Sequence, residues 1–166
     1  MYLTSLYEKS EKKISMKITP KKINTFMLFK LPLAYFGGVR VHFLNEKKAI
    51  VGIKYRWINQ NPYKSMFWAA QGMAAEMSTA ILVMQEIKKT NQKVSMLVVY
   101  QKGDFFKKAT GKITFTCCDG HQIRESIQRA IATGEGQVVG LQSEGENEEG
   151  IVVSNFKFQW SLKVKS

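Results

Sequence analysis

The feature that most constrains this chain is an apolar run of twenty residues that contains a single ionisable side chain. Residues 65–84 read SMFWAAQGMAAEMSTAILVM, and Glu76 lies near the middle. A carboxylate in such a run is costly to bury, whether its surroundings are a protein core or lipid. The carboxylate therefore requires a helix with one solvent-exposed face, a partner that accepts its charge, or a reaction that uses it.

The length of the run is close to that of a membrane span, but its composition argues against one. A span needs about 20 predominantly apolar residues, and this run also holds Gln71, Ser78 and Thr79. Polar groups are expensive at the centre of a bilayer. We predict no transmembrane segment. We expect instead a helix over 65–90, with Ser65 as its N-cap, which the rest of the chain buries on most sides.

The segments before and after this helix alternate between apolar and polar residues, as antiparallel strands do. They lack the repeated βα units that a parallel sheet needs, so the pattern predicts an α+β fold with an antiparallel sheet. The predicted strands are two on either side of a turn at 45–48, two more at 93–101 and 112–118, and a closing hairpin around the acidic loop at 144–150.

The N-terminal region divides into an arm and a helix. Residues 1–19 are rich in lysine and predict a basic N-terminal arm, whereas residues 20–166 predict one domain. The first element of that domain is a helix over 20–36, which Pro32 would bend or break. Residues 121–132 fit either a short amphipathic helix or a bulged crossover into the next strand.

The charge of the chain is strongly basic and unevenly distributed. The formal net charge is +12, and residues 1–64 hold 13 lysines and arginines against three acidic residues. Such a surface attracts nucleic acid, anionic lipid headgroups or phosphorylated small molecules, unless it serves only solubility. Strand alternation puts Tyr55 and Trp57 on the face opposite to Lys54 and Arg56, so we expect no specific nucleic-acid partner.

The cysteines and histidines of the sequence do not form the patterns that metal sites or structural disulfides need. Cys117 and Cys118 are adjacent, and His42 and His121 are far apart in the chain, so no metal-ligand spacing is present. We expect no metal site. Reduced cysteines and an N-terminus without an apolar signal core predict a cytoplasmic protein.

One stretch, NPYKSMFWAAQGMAAE at 61–76, resembles the active-site segment of hot-dog-fold acyl-CoA thioesterases of the phenylacetate-pathway type. In that family an Asn precedes the helix, His-Gly-Gly opens it, and an Asp or Glu follows. Asn61 and Glu76 have a similar spacing, but Phe-Trp-Ala at 67–69 replaces His-Gly-Gly. The resemblance is closer still to a bacterial branch of the superfamily that lacks His-Gly-Gly. It covers roughly residues 38–164 and implies a long central helix wrapped by a curved antiparallel sheet.

The resemblance also implies a mechanism. Backbone amides around Trp68 and Ala69 would polarise the thioester carbonyl, and Glu76 would act as general base or attack directly. Asn61 would orient the loop or bind substrate. Thr79, one turn beyond the glutamate, would hydrogen-bond its carboxylate.

Methionines recur along the helix and have two interpretations. Met66, Met73, Met77 and Met84 either fill the core or line a flexible acyl tunnel. In the second interpretation we expect Met73 to contact the substrate.

The function implied is that of an acyl-CoA thioesterase, with coenzyme A as part of the substrate and no separate cofactor. The alternative is a non-catalytic acyl-CoA or fatty-acyl binder, which the missing His-Gly-Gly favours. Hot-dog sites lie between subunits, and a sheet edge and helix faces need covering, so we expect a homodimer or a dimer of dimers.

Overall fold

A long helix packs against one face of a six-stranded antiparallel sheet in the computed structural model, which describes residues 18–165. The predicted α+β hot-dog fold is confirmed. The helices are α1 (Pro20–Lys30), α2 (Pro32–Phe36), α3 (Trp68–Lys89) and α4 (Gly120–Thr133), and the strands are β1 (Arg40–Leu44), β2 (Ala49–Lys54), β3 (Val94–Phe105), β4 (Lys112–Cys117), β5 (Gln137–Glu146) and β6 (Val152–Val164).

The strands follow the order β1-β2-β4-β5-β6-β3, so β1 and β3 form the two edges. The closing hairpin predicted around residues 144–150 is formed by β5 and β6. The sheet buries one face against α3, and its inward residues alternate with exposed ones along β6. These inward residues include Phe115, Leu141, Phe156, Phe158, Trp160 and Leu162.

The central helix begins three residues later than predicted. Ser65 does not cap it, because its hydroxyl and the amide of Met66 both bond to the carbonyl of Ala109, at 3.5 and 2.9 Å. These bonds hold the chain outside the helix until Phe67, which is the N-cap and makes no side-chain capping bond. The helix ends at Lys89, whose charge suits the negative end of the helix dipole.

The N-terminal segment forms two helices where one was predicted, with the break that Pro32 led us to expect. Leu31 separates them, since proline cannot donate an amide hydrogen to the helical ladder. The alternative at 121–132 is resolved in favour of a helix, which ends at Gly134 with φ 72°. Of the predicted basic arm at 1–19, only Ile18 and Thr19 are described, and the rest lies outside residues 18–165.

Four charged side chains anchor the C-terminal end of α3. Glu86 is buried and accepts hydrogen bonds from Lys89 at 2.9 Å and from Arg124 of α4 at 3.2 Å. Both cations also bond to Glu46 in the turn between β1 and β2. The network ties α3 to α4 and to that turn. Among the helices of residues 18–165, none is both long and apolar enough to cross a membrane.

Candidate functional site

Glu76 lies on the wall of a pocket of about 590 Å³ between the two N-terminal helices and α3. The α3 residues of the wall are three or four positions apart, so they share one helical face. Pockets of this size, mainly apolar with few polar groups, are typical of small-molecule sites. The apolar wall includes Phe26, Leu31, Leu33, Met77, Ala80 and Ile81.

The electrostatic environment of Glu76 suits a base. The side chain is exposed as a whole, yet desolvation by the surrounding protein raises the pKa of its carboxyl group. A carboxylate with a raised pKa holds a proton more tightly, and so accepts one more readily near neutral pH. The single charge of the apolar run therefore faces a cavity and keeps access to water.

The methionines divide between the two interpretations. Met73, Met77 and Met84 line the pocket beside Glu76, as an acyl-binding wall would require. Met66 is buried at 1% exposure and belongs to the core.

A second pocket, of about 570 Å³, lies at the N-terminal end of α3 and contains Asn61 and Trp68. The Trp68 side chain is 52% exposed, so it does not pack in the core of this chain. Ala70 and Gln71 donate their amides to the carbonyl of Phe67, so the amides of Trp68 and Ala69 are the ones at the helix terminus.

Asn61 organises the loop that leads into α3. Its side-chain Oδ1 accepts hydrogen bonds from the backbone amides of Tyr63 at 2.9 Å and Ser65 at 3.2 Å. Its backbone amide donates to the Ser65 carbonyl at 2.8 Å. Of the two roles expected for Asn61, the geometry supports orientation of the loop.

Thr79 does not bond to the Glu76 carboxylate as predicted. Its hydroxyl donates to the Glu76 backbone carbonyl at 2.9 Å and accepts from the indole nitrogen of Trp160 at 3.1 Å. The side chain is fully buried between helix and sheet. Thr79 therefore holds the helix against the sheet and lies away from the pocket.

The predicted site residues fall into two groups on one chain. Glu76 and Met73 line the first pocket, whereas Asn61 and Trp68 line the second. Trp68 and Glu76 are eight positions apart, which is about 12 Å along a helix. The helix terminus and the carboxylate of one chain are thus too far apart to act on the same carbonyl group.

The N-terminal helices contribute to this pocket, which was not predicted from the sequence. Lys22, Phe26 and Lys30 line the Glu76 pocket, although the resemblance begins only near residue 38. The available signal was the spacing of four residues, which places all three on one side of α1. No group of three or more His, Cys, Asp or Glu side chains suited to a metal occurs within residues 18–165.

Comparisons with known proteins identify the family of the chain and proteins that share its fold. Residues 20–162 match the family described as a domain of unknown function, DUF4442. Two solved structures are similar to this chain at 18% sequence identity. One is a protein of unknown function from Chlorobaculum tepidum, with TM-score 0.77, and the other is a probable thioesterase from Pseudomonas aeruginosa, with TM-score 0.75. Each match covers 91% of this chain and the whole of the other chain. A thioesterase from Haemophilus influenzae has TM-score 0.66 and 12% identity over 89% of this chain and 92% of its own. No curated protein matches the chain.

The fold is that of a hot-dog protein whose structural neighbours include thioesterases. At these identities the likeness concerns the fold. Because the match at 20–162 spans most of the sequence, the chain belongs to the DUF4442 family.

The buried bond between Thr79 and Trp160 provides a test of how α3 is held. We expect Thr79→Val to lower the free energy of unfolding by about 1–3 kcal/mol, because the indole N–H loses its acceptor inside the protein. Chemical denaturation measures the difference. Thr79→Ser keeps the hydroxyl and is the matched control. Equal stability of the valine and serine variants would contradict this role.

Proposed function

We propose that the protein hydrolyses aliphatic acyl thioesters, with coenzyme A as the leaving thiol. The observation that carries the proposal is Glu76, a carboxyl group of raised pKa on the wall of an apolar pocket of about 590 Å³. The wall is mainly aliphatic and thioether, with Phe26 contributing a ring, and such a wall suits a flexible alkyl chain.

In the proposed reaction Glu76 acts as a general base. Its carboxylate removes a proton from a water molecule, and the water oxygen attacks the thioester carbonyl carbon. The carbon–sulfur bond then breaks, and the proton returns from Glu76 to the leaving thiolate. The products are a carboxylic acid and a thiol, and the glutamate is restored. Direct attack by the carboxylate would instead pass through an anhydride.

A second copy of the chain would complete the site. The amides of Trp68 and Ala69 lie about 12 Å from Glu76 along the same helix, so the terminus that stabilises the oxyanion must come from another α3. The second pocket also holds Lys107 and Lys108. We propose that these two lysines attract the phosphate groups of coenzyme A.

The alternative function is a non-catalytic acyl-CoA or fatty-acyl binder. Trp68 favours it, because its bulky ring stands where the resembling thioesterases have a glycine, and it meets the ring of Phe67 edge to face at 5.9 Å. Both are about half exposed and narrow the approach to the helix terminus.

Substitution of Glu76 separates the two functions. We expect wild type to release free thiol from some members of a panel of acyl-CoAs of increasing chain length. Glu76→Gln should lower kcat/KM about a hundredfold or more, because a general base is lost. Glu135→Gln, an exposed residue beyond α4, is the matched control. Unchanged turnover in Glu76→Gln would remove the carboxylate from the mechanism, and tight binding without turnover by wild type would establish the binder.

The same variant tests the electrostatics by its stability. In the unfolded chain a glutamate has a pKa of about 4.3, and the folded protein raises the pKa of Glu76 above that value. Ionisation therefore favours the unfolded chain, and the protein loses stability as pH rises through the folded pKa. Glu76→Gln should therefore melt at a higher temperature than wild type at pH 7. The gain should shrink as pH falls and vanish below about pH 4. A lower Tm than wild type at pH 7 would mean that the carboxylate serves as a structural partner.

We propose that the assembly is a homodimer, alone or paired into a dimer of dimers, which joins through edge strand β3. Twelve residues long, β3 exposes Leu97 at 65% and Tyr100 at 50%, whereas β1 at the other edge is short. A long apolar edge is normally covered. Sedimentation should give a multiple of 19.0 kDa, and Leu97→Asp should shift the mass towards one chain. Val138→Asp, on inner strand β5, is the control. A monomeric wild type at micromolar concentration would contradict the proposal.

A further inference from the structure

Trp68 combines a backbone amide at the terminus of α3 with a half-exposed indole ring in the second pocket. When the α3 terminus of a second copy reaches the Glu76 pocket, as the proposed function requires, this ring reaches it too. Exposed apolar side chains grouped around a pocket mark an interaction surface. The other exposed rings that line the second pocket are those of Tyr63, Phe67, Phe105 and Phe106.

The ring of Trp68 has a fixed support. It meets the ring of Phe67 edge to face, and the Phe67 amide donates to the carbonyl of Asn59 at 2.8 Å. Asn59 is buried, and its Nδ2 donates to the carbonyls of Gly37 at 3.0 Å and Lys54 at 2.9 Å. The backbone under the two rings is therefore tied to the end of α2 and to the end of β2.

Covalent geometry places the ring beside the start of the acyl chain. A carbonyl oxygen that accepts the Trp68 amide lies about 2.9 Å from the nitrogen. The α-carbon of the acyl group is two covalent bonds from that oxygen, and the indole ring begins three bonds from the amide nitrogen. The ring and the α-carbon are therefore neighbours, whatever course the rest of the acyl chain takes.

The Glu76 pocket provides the other side of this contact. Its lining includes Phe26, Leu31 and Leu33, which are exposed in one copy of the chain, Leu33 at 76%. The Trp68 ring of a second copy would cover part of this apolar surface and remove it from water, which favours the contact. The acyl chain would then enter the pocket between that ring and the helical wall that carries Glu76.

We propose that Trp68 of a second copy determines the specificity of the site by admitting acyl groups that are straight at the α-carbon and excluding those that are branched there. The position of the thioester in this inference rests on the proposed function. A straight chain presents only hydrogens of its α-carbon to the ring, whereas a branch presents a further carbon. One carbon group more or less in an apolar pocket changes binding or rate roughly 10–200-fold.

Isomers of one acyl group separate shape from hydrophobicity, because they contain the same number of carbons. Hexanoyl-CoA is straight, 2-ethylbutanoyl-CoA is branched at the α-carbon, and 4-methylpentanoyl-CoA is branched near the far end. We expect wild type to prefer hexanoyl over 2-ethylbutanoyl roughly tenfold or more in kcat/KM for thiol release, and to accept 4-methylpentanoyl. Trp68→Ala keeps the backbone amide and removes the ring, so it should lower this preference roughly tenfold.

Trp57→Ala is the matched control. It removes the same side chain at a position that is 83% exposed and lines neither pocket, so it should keep the wild-type preference. Trp68→Phe leaves a smaller ring in place and should give an intermediate preference. Thermal melts compare the folding of the variants with that of wild type.

A mixed dimer tests whether the ring and the carboxylate come from different copies. One copy carries Glu76→Gln and the other carries Trp68→Ala, and two different affinity tags isolate the pair. If the site joins two copies, the intact Glu76 and the intact Trp68 meet at one of the two sites of the dimer. Thiol release with the wild-type preference supports the proposal. Release without that preference would show that each ring acts on its own chain, which contradicts it.

Binding separates this proposal from the proposed hydrolysis. Ketone analogues of the three acyl-CoAs, in which a methylene group replaces the thioester sulfur, cannot be hydrolysed and are titrated into wild type and Trp68→Ala by calorimetry. A preference for the hexanoyl analogue that Trp68→Ala loses supports the proposal, even where no thioester is cleaved and the hydrolysis is rejected. Equal binding of the hexanoyl and 2-ethylbutanoyl analogues by wild type, a preference unchanged in Trp68→Ala, or no binding at all overturns it.

Discussion

The rotation of α3 about its own axis decides which of its residues face the sheet and which face the pocket. Three buried hydrogen bonds fix that rotation: Ser154 donates to Gln71, Ser78 pairs with Ser143, and Trp160 donates to Thr79, at 2.9, 2.7 and 3.1 Å. Each joins the helix to a strand in a space from which water is excluded. Turning the helix would leave these groups buried without partners, at a cost of several kcal/mol. Glu76 is thereby held on the opposite face.

The sequence allowed the fold and the central helix to be predicted, because both depend on patterns within a short stretch. Gln71, Ser78 and Thr79 gave a reason to reject a membrane span, but their partners could not be foreseen. Those partners lie 65 to 83 residues away, and the pairing depends on the register of β5 and β6. The Thr79 prediction was wrong for this reason, since spacing along one helix does not include an indole from another strand.

The positions of the candidate site residues could be predicted in part, and their roles stay predictions. Glu76 stood out as a charge in an apolar run, and its position on a pocket wall follows from the helical period. Asn61 was expected at the site, and the structure shows what it does for the loop. The N-terminal helices were harder to place, because α1 buries only Ile23 and Met27 and leaves the apolar rings of Phe26 and Phe29 exposed among lysines. It docks on β1, where the Asn24 side chain donates to the Val41 carbonyl and accepts from the Val41 amide, both at 2.9 Å, and a local pattern does not encode such a pairing.

The three tryptophans occupy three different environments, and this gives the chain its own set of optical reporters. Trp160 is buried under α3, Trp68 is half exposed at the helix terminus, and Trp57 is 83% exposed beside β2. Indole emission shifts with the polarity around the ring, so each signal belongs to a different part of the molecule. Substituting one tryptophan at a time would separate the three signals. Trp160 would report the packing of helix on sheet, Trp68 the occupancy of the second pocket, and Trp57 the surrounding solvent.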